Sequence, residues 1–158
     1  MQLAVPVRQV RVAVLSTDGV WSTGNLFLKP LAENHSGPET VLDRLNDQDA
    51  FLPVQLPNER SITLLHKSHI VRLVVQDGQP GDALTENQEN LTGRIEPVHC
   101  TVAPGQQLSG WLSVQAPEWQ ARLSDYVNAL PGSFFPLYAD DALHLINKHA
   151  VLRIQSQG

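Results

Sequence analysis

Valine recurs at near-alternate positions in the segment VRQVRVAVL, residues 7–15. Such spacing of β-branched residues is typical of a strand with one buried face. Asp18-Gly19 follows and predicts a turn, after which WSTGNLFLK, residues 21–29, again has strand character. This part of the chain therefore predicts a β-hairpin.

A longer strand region, SITLLHKSHIVRLVV, covers residues 61–75. Lys67-Ser68 marks the expected bend within it. Beyond the bend, both faces of the predicted strand carry apolar residues: Ile70, Arg72 and Val74 share one face, and Val71, Leu73 and Val75 the other. We expect such a strand to be covered on two sides, as in a small closed barrel or at a subunit interface.

The second part of the chain repeats the patterns of the first part in the same order. GVWSTGNL (residues 19–26) matches GQQLSGWL (105–112), and KSHIVRL (67–73) matches KHAVLRI (148–154). Between these lie two further matches: a D-x-x-N pair, Asp43/Asn46 and Asp125/Asn128, and an aromatic residue shortly before Pro53 and Pro136. Matches that stay in order along the chain predict an internal duplication.

A polar segment rich in Gly, Pro, Asn and Asp separates the two copies. This composition is typical of a linker, here with room for a short helix. The predicted organisation is a first unit at residues 1–76, a linker at 77–92 and a second unit at 93–158. Within each unit, the segment that contains the D-x-x-N pair predicts a short helix or helical turn, although part of the second one also fits a strand.

Composition narrows the class of protein. The 158 residues are 42% hydrophobic and 17% charged, which is typical of a folded chain, and 11 Lys and Arg against 16 Asp and Glu give a net charge of −5. A sequence-independent hold on nucleic acid would need a local basic patch, and no run of basic residues is present. Cys100 is the only cysteine, which excludes an intrachain disulfide and fits a reducing compartment. Without an export signal or a membrane-length apolar stretch, we expect a cytoplasmic protein with no membrane contact.

The motifs resemble those of the Sm-like proteins. VRVAVLSTDGVWSTGNL is similar to their first motif and ITLLHKSHIVRL to their second, and VAPGQQLSGWL and LHLINKHAVLRI repeat both. The resemblance covers each half almost end to end. It implies two tandem, strongly bent, five-stranded barrels of the Sm-like (SH3-like) type, and subunits that close rings by pairing of edge strands, with loop residues facing single-stranded RNA around the pore.

Carried over by position, the resemblance implies a set of RNA-contacting residues: Asp43, Asn46, His66, Lys67, Asp125, Asn128, Asn147 and Lys148. The chain departs from the family in two respects. The loop before each D-x-x-N pair is longer, and Lys67 and Lys148 stand in the bend where the family has Arg-Gly. A lysine lacks the planar fork with which arginine stacks and forms bidentate bonds.

Structural roles compete with each of these assignments. Asp and Asn are common turn and cap residues, and a lysine at a strand end is commonly solvated. Four glycines are expected to serve turn and bend geometry in a curved sheet: Gly19, Gly24, Gly105 and Gly110. Arg72 and Arg153 fit an interface ion pair or edge protection better than catalysis. His66 and His69 lie three apart, an awkward spacing for one metal ion on a strand, so no metal site is predicted.

The sequence therefore predicts an all-β, non-enzymatic protein without cofactors that acts as an oligomeric binding or scaffold module. A trimer would place six barrels in a pseudo-hexameric ring, and the partners would be other proteins. The alternative is a single-stranded RNA binder that uses the pore-facing loop residues. A metal-dependent enzyme is a more distant third hypothesis.

Overall fold

The computed structural model describes residues 8–77, 82–85, 94–114, 122–130, 132–139 and 142–157. Strands dominate these residues, and two short α-helices and two 3-10 turns interrupt them. In chain order the elements are β1 Arg8–Ser16, β2 Trp21–Leu28, α1 Val41–Asn46, β3 Phe51–Val54, β4 Thr63–His66, a 3-10 turn Lys67–His69, β5 Ile70–Asp77, β6 Arg94–Val102, β7 Gln106–Val114, α2 Leu123–Ala129, β8 Phe134–Ala139, β9 Leu143–Asn147, a 3-10 turn Lys148–Ala150 and β10 Val151–Ser156.

The element order repeats between the first half, residues 8–77, and the second half, residues 94–157. Each half has two strands, a helix, two strands, a 3-10 turn and a final strand. The predicted helices and the bend at Lys67-Ser68 are present. The repeated order agrees with the sequence matches, whereas the unit boundaries stay a prediction, and most of the expected linker, with its short helix, lies outside the described residues.

Antiparallel pairing joins most of the strands into one sheet with the order β10-β6-β7-β8-β9-β5-β1-β2. A second sheet contains β3 and β4, and a bridge between Asn25 and Gln55 links it to β2. The prediction of an all-β protein is confirmed at this level. Among the described residues the strand pairs do not close either half into a barrel.

Two apolar clusters form the core, and each takes residues from the other half. The first cluster is built around β1, β2 and α1 and includes Phe134 and Leu145 from the second half. The second is built around β6, β7 and β8 and includes Leu15 and Val71 from the first half. Because each cluster contains side chains from both halves, the two halves share a packed core.

The four predicted structural glycines divide into two pairs. Gly19 and Gly105 lie in turns and have positive φ angles, which other residues rarely adopt. Gly24 and Gly110 lie inside β2 and β7, where the reason for glycine is a close approach of the next strand: a Cβ would come within 2.6 Å and 2.4 Å of a backbone oxygen. Gly24 and Gly110 therefore do not form turns.

Candidate functional site

The best-defined polar site lies where the two halves meet, and we call it the junction. Here β5 of the first half pairs antiparallel with β9 of the second half, with Leu73 opposite Leu145. Both faces of β5 are covered, since Ile70 and Val71 are fully buried. This agrees with the apolar character of both faces in the sequence.

Asn147 ends β9 and ties the junction together. Its Oδ1 accepts a hydrogen bond from the backbone N–H of His149 at 3.0 Å, which caps the second 3-10 turn. Its Nδ2 donates across the junction to the carbonyl oxygens of Ile70 at 2.9 Å and Lys67 at 3.3 Å. The side chain is buried, so these bonds satisfy polar groups that water does not reach.

Asn46, at the end of α1, makes the corresponding contact from the first half to β8. Its Oδ1 accepts from the backbone N–H groups of Phe134 at 2.8 Å and Ser133 at 3.1 Å, and its Nδ2 donates to the carbonyl of Phe134 at 3.1 Å. Gly132 makes room for this contact, because a Cβ there would lie 2.5 Å from the Asn46 side chain. The amide thus binds the start of β8 as another strand would.

The lysines at the two bends are committed to different partners. Lys67 is buried and forms an ion pair with Asp47. Lys148 donates to the carbonyl of Leu130, and burial lowers the pKa of its ammonium group from the usual lysine value. His66 caps the first 3-10 turn, accepting from the backbone N–H of Ser68 at 3.2 Å, and its ring is exposed.

A small cavity of about 230 Å³ opens beside the junction and brings together Asn46, Lys67 and Asn147, three of the residues for which the family resemblance implies RNA contact. Asp47 and Asp49 also line it, so the ammonium group of Lys67 faces carboxylates there. A phosphate would therefore meet acidic side chains as well as the lysine. Whether these residues contact RNA stays a prediction.

The other predicted residues lie away from this cavity. Asp43 belongs to a capping box with Thr40 and also contacts His35, whose Nε2 lies 2.5 Å from Asp43 Oδ2. Asp125 forms an exposed ion pair with Arg122 at 3.0 Å. Asn128 is exposed at the end of α2. The sequence left two roles open for Asp43, a helix cap or a ligand contact. In the structure Asp43 has the cap role.

Arg72 also belongs to the junction, on the face of β5 away from the cavity. Its guanidinium is buried, contacts His144 Nδ1 at 3.2 Å, donates to Gln106 Oε1 at 2.7 Å and lies 5.0 Å from the Trp21 ring centroid. An interface ion pair or edge protection is the role expected for Arg72 from the sequence, and here the guanidinium lies at the contact between the two halves of one chain. The partners His144 and Gln106 were missed, because no local pattern places β7 and β9 beside β5.

The apolar contribution of Phe134 and Leu145 to the junction was also missed. In the sequence, the aromatic residue before Pro136 served only as a repeat match, and no pattern distinguished Leu145. The repeat alignment pairs Phe134 with Phe51 and Leu145 with Leu64, so it marks the equivalent positions but not which copy is covered. These pairs differ in exposure, which shows which of the two copies has a neighbour.

Comparison with protein-family models, with curated proteins and with solved structures gave no match for this chain. In the part of the chain that the structure describes, no helix is long and apolar enough to cross a membrane. Among the same residues, no group of three or more His, Cys, Asp or Glu side chains is arranged to hold a metal ion.

Proposed function

We propose that the chain is a non-enzymatic tandem Sm-like protein that acts as an oligomeric binding or scaffold module. The observation that carries the proposal is the role of two polar side chains at motif positions of the repeat: Asn46 and Asn147 bind backbone groups of the opposite half. Side chains that bind the backbone of a neighbouring unit hold small β units together. In this proposal the polar residues at the bends and loops therefore stabilise contacts between units.

The fold supports the resemblance in two respects. Each half has five strands, and the halves join by antiparallel pairing of β5 with β9, that is, the last strand of one unit with the fourth strand of the other. Edge-strand pairing is what the resemblance to Sm-like subunits implies. We propose that each half is a small, strongly bent barrel of this type.

The stability of small domains also favours association. A unit of this size buries a modest fraction of its unfolded surface, so it gains from a neighbour that covers more of it. The two halves already share their cores in this way, with Phe134 in the first cluster and Val71 in the second. Further copies would extend the same arrangement, and a trimer would present six units.

RNA binding is the competing function, and the electrostatics of the junction weigh against it. Lys67 is paired with Asp47, and a second cavity near α1, of about 400 Å³, is lined by five carboxylate residues: Glu33, Glu39, Asp43, Asp47 and Asp49. Phosphate binding depends on Lys and Arg that neutralise backbone charge. The net charge of −5 adds to the same repulsion.

Light scattering of the purified protein, combined with absorbance at two ultraviolet wavelengths, tests the proposal. We expect an oligomer that is free of nucleic acid in low salt. An oligomer that carries co-purified nucleic acid would replace the scaffold proposal with the RNA function, and Lys67→Ala and Lys148→Ala would then be compared for salt-dependent RNA binding. A monomer at all concentrations would contradict the proposal.

A further inference from the structure

Two exposed histidine side chains stand together at the first 3-10 turn. His66 ends β4 and His69 ends the turn, and both side chains are exposed. On a continuous strand, residues three apart point to opposite faces, which is why their spacing alone argues against a shared metal ion. The turn changes this geometry, because it brings the two ring centroids to 5.2 Å, with an angle of 58° between the ring planes.

The separation of the two rings fits two imidazoles on one metal ion. A zinc ion binds an imidazole nitrogen at about 2.0–2.1 Å, which puts the ring centroid about 3.2 Å from the ion. Two such ligands at a tetrahedral angle have their centroids about 5 Å apart. The observed 5.2 Å between the centroids of His66 and His69 therefore places both rings within reach of a single ion.

Hydrogen bonds fix the backbone between the two histidines. The N–H of Lys67, which follows His66, donates to the carbonyl of Ala50 at 2.8 Å. The N–H of Thr17 donates to the carbonyl of His69, also at 2.8 Å. The two imidazoles are thus attached to a turn that is held at both ends. A pair of ligands that is already close together loses little conformational freedom when it binds an ion.

Neighbouring side chains orient the His66 ring. Its Nδ1 lies 2.6 Å from Ser68 Oγ, and the Phe51 ring packs edge-on against it with the centroids 4.8 Å apart. A histidine that binds a metal through one ring nitrogen usually donates the N–H of the other to an oxygen atom, which fixes the tautomer. Ser68 Oγ can accept such a bond from Nδ1, and this leaves Nε2 of His66 as the ligand atom. Metal binding then replaces the 3.2 Å cap bond from the Ser68 N–H.

The equivalent turn of the second half shows that the fold does not need these histidines. Asn147 takes the place of His66 as the cap of that turn, and Ala150 takes the place of His69. The Ala150 carbonyl accepts a backbone hydrogen bond at 2.8 Å, the same length as the bond to the His69 carbonyl. The turn therefore forms with an amide and a methyl group at these positions. The two imidazoles add a chemical property that the turn itself does not require.

We propose that His66 and His69 form a chelating site for one divalent transition-metal ion, Zn²⁺, Ni²⁺ or Cu²⁺. Imidazole nitrogen suits these ions, whereas Mg²⁺ and Ca²⁺ prefer oxygen ligands. Among the described residues no group of three or more His, Cys, Asp or Glu side chains is arranged for a metal, so this part of the chain supplies two ligands and water fills the other positions. The inference goes beyond the scaffold proposal and does not rest on it, because both ligands belong to one chain.

Calorimetric titration of the full chain with Zn²⁺, after a chelator has been used and removed, tests the site. We expect the wild type to bind one ion per chain. His66→Asn and His69→Ala, the substitutions that the second turn already carries, should each weaken Zn²⁺ binding by at least about tenfold, because each leaves one imidazole. His149→Ala is the matched control: it removes the exposed imidazole of the second turn and should leave Zn²⁺ binding unchanged.

Two further measurements do not depend on the heat of binding. Electron paramagnetic resonance of the Cu²⁺-loaded protein counts coordinated imidazole nitrogens, and we expect two in the wild type and one in His66→Asn and in His69→Ala. Thermal unfolding followed by circular dichroism should show that Zn²⁺ raises the melting temperature of the wild type and of His149→Ala, because a ligand of the folded state stabilises it. The same scans without metal show that each variant is folded.

Three results would overturn the inference. The first is a wild type that binds no Zn²⁺, and the second is equal Zn²⁺ affinity in the wild type and in folded His66→Asn and His69→Ala. The third is one ion per two chains, which would show that the ion bridges two copies and is not chelated within one. The oligomeric state of the metal-free protein is measured separately, so failure of the metal site leaves the scaffold proposal as it stands.

Discussion

The two halves of the molecule have the same elements in the same order but different neighbours. Phe134 and Phe51 occupy equivalent strand starts, yet the first is buried by the opposite half and the second is exposed. Asn46 and Asn128 likewise end equivalent helices, and only Asn46 has an opposite half to bind. The difference teaches that the repeated pattern specifies a strand or a helix, whereas burial depends on which edge meets a partner.

The two helices differ in the same sense. In α1 a capping box formed by Thr40 and Asp43 closes the N-terminus, and Val41, Leu42 and Leu45 are buried. In α2 no side chain caps the N-terminus and no residue is fully buried. Because helices of one or two turns depend on packing and caps, α1 should be the more stable of the two.

The largest predicted effect compares the equivalent phenylalanines. Phe134→Ala should lower the free energy of unfolding by about 3–5 kcal/mol, the usual cost of removing a buried phenylalanine side chain. Phe51→Ala should change it by less than about 1 kcal/mol when measured in dilute protein, since its ring is exposed. Urea denaturation of both variants measures the difference. Equal losses for the two variants would show that Phe51 is already buried within one chain.

The asparagine pair should give a smaller difference. Asn46→Ala removes three hydrogen bonds to the start of β8 and should cost about 1–3 kcal/mol of unfolding free energy. Asn128→Ala should stay within about 0.5 kcal/mol of the wild type in dilute protein. Asn46→Asp serves as a control, because it keeps the Oδ1 acceptor and loses the Nδ2 donor. A negligible effect of Asn46→Ala would contradict a stabilising role for the hydrogen bonds between Asn46 and the start of β8.

The helix caps should differ by still less. Thr40→Ala breaks the capping box of α1 and should cost about 1 kcal/mol. Arg122→Ala, at the start of α2, should cost less than about 0.5 kcal/mol, because its ion pair with Asp125 is exposed to solvent. Thermal unfolding followed by circular dichroism checks both variants. A larger loss for Arg122→Ala would reverse the ranking of the two helices.

The smallest predicted effect is a pH dependence confined to the first half. Hydrogen bonds to the Ser36 carbonyl and to Asp43 raise the pKa of His35 above its ordinary value of 6.5. Its stabilising contribution is therefore complete below the unfolded pKa and is lost as the pH rises through the folded pKa. We expect a loss of less than about 1 kcal/mol, since the side chain is partly exposed.

Urea denaturation of the wild type and of His35→Gln, at a pH below the unfolded pKa of His35 and at a pH above its folded pKa, isolates the contribution of His35 to the free energy of unfolding. The variant should lack the portion of the pH dependence that comes from His35, whereas the remaining histidines are the same in both proteins. Identical pH dependence in the two proteins would contradict the contact between His35 and Asp43. The proton titration of His35 by NMR provides an independent measurement of the direction of the shift.

Local patterns were sufficient for several of the elements but not for the junction. The alternation around Val10 and Val12, the turn at Gly19 and the bend at Lys67 are set by neighbouring residues, so the sequence predicts them. The contact between Asn46 and Phe134 joins residues far apart in the chain and depends on the pairing of β5 with β9. The D-x-x-N pattern therefore located Asn46 without indicating what it binds.

Hydrogen exchange of backbone amides at several protein concentrations tests the central claim most directly. The account predicts that peptides covering β4, Thr63–His66, and β10, Val151–Ser156, become protected as the concentration rises, whereas β5 and β9 are protected throughout. Each open edge pairs only in the assembly, while the junction exists within every chain. Exchange at β4 and β10 that stays unchanged while the protein associates would contradict the account.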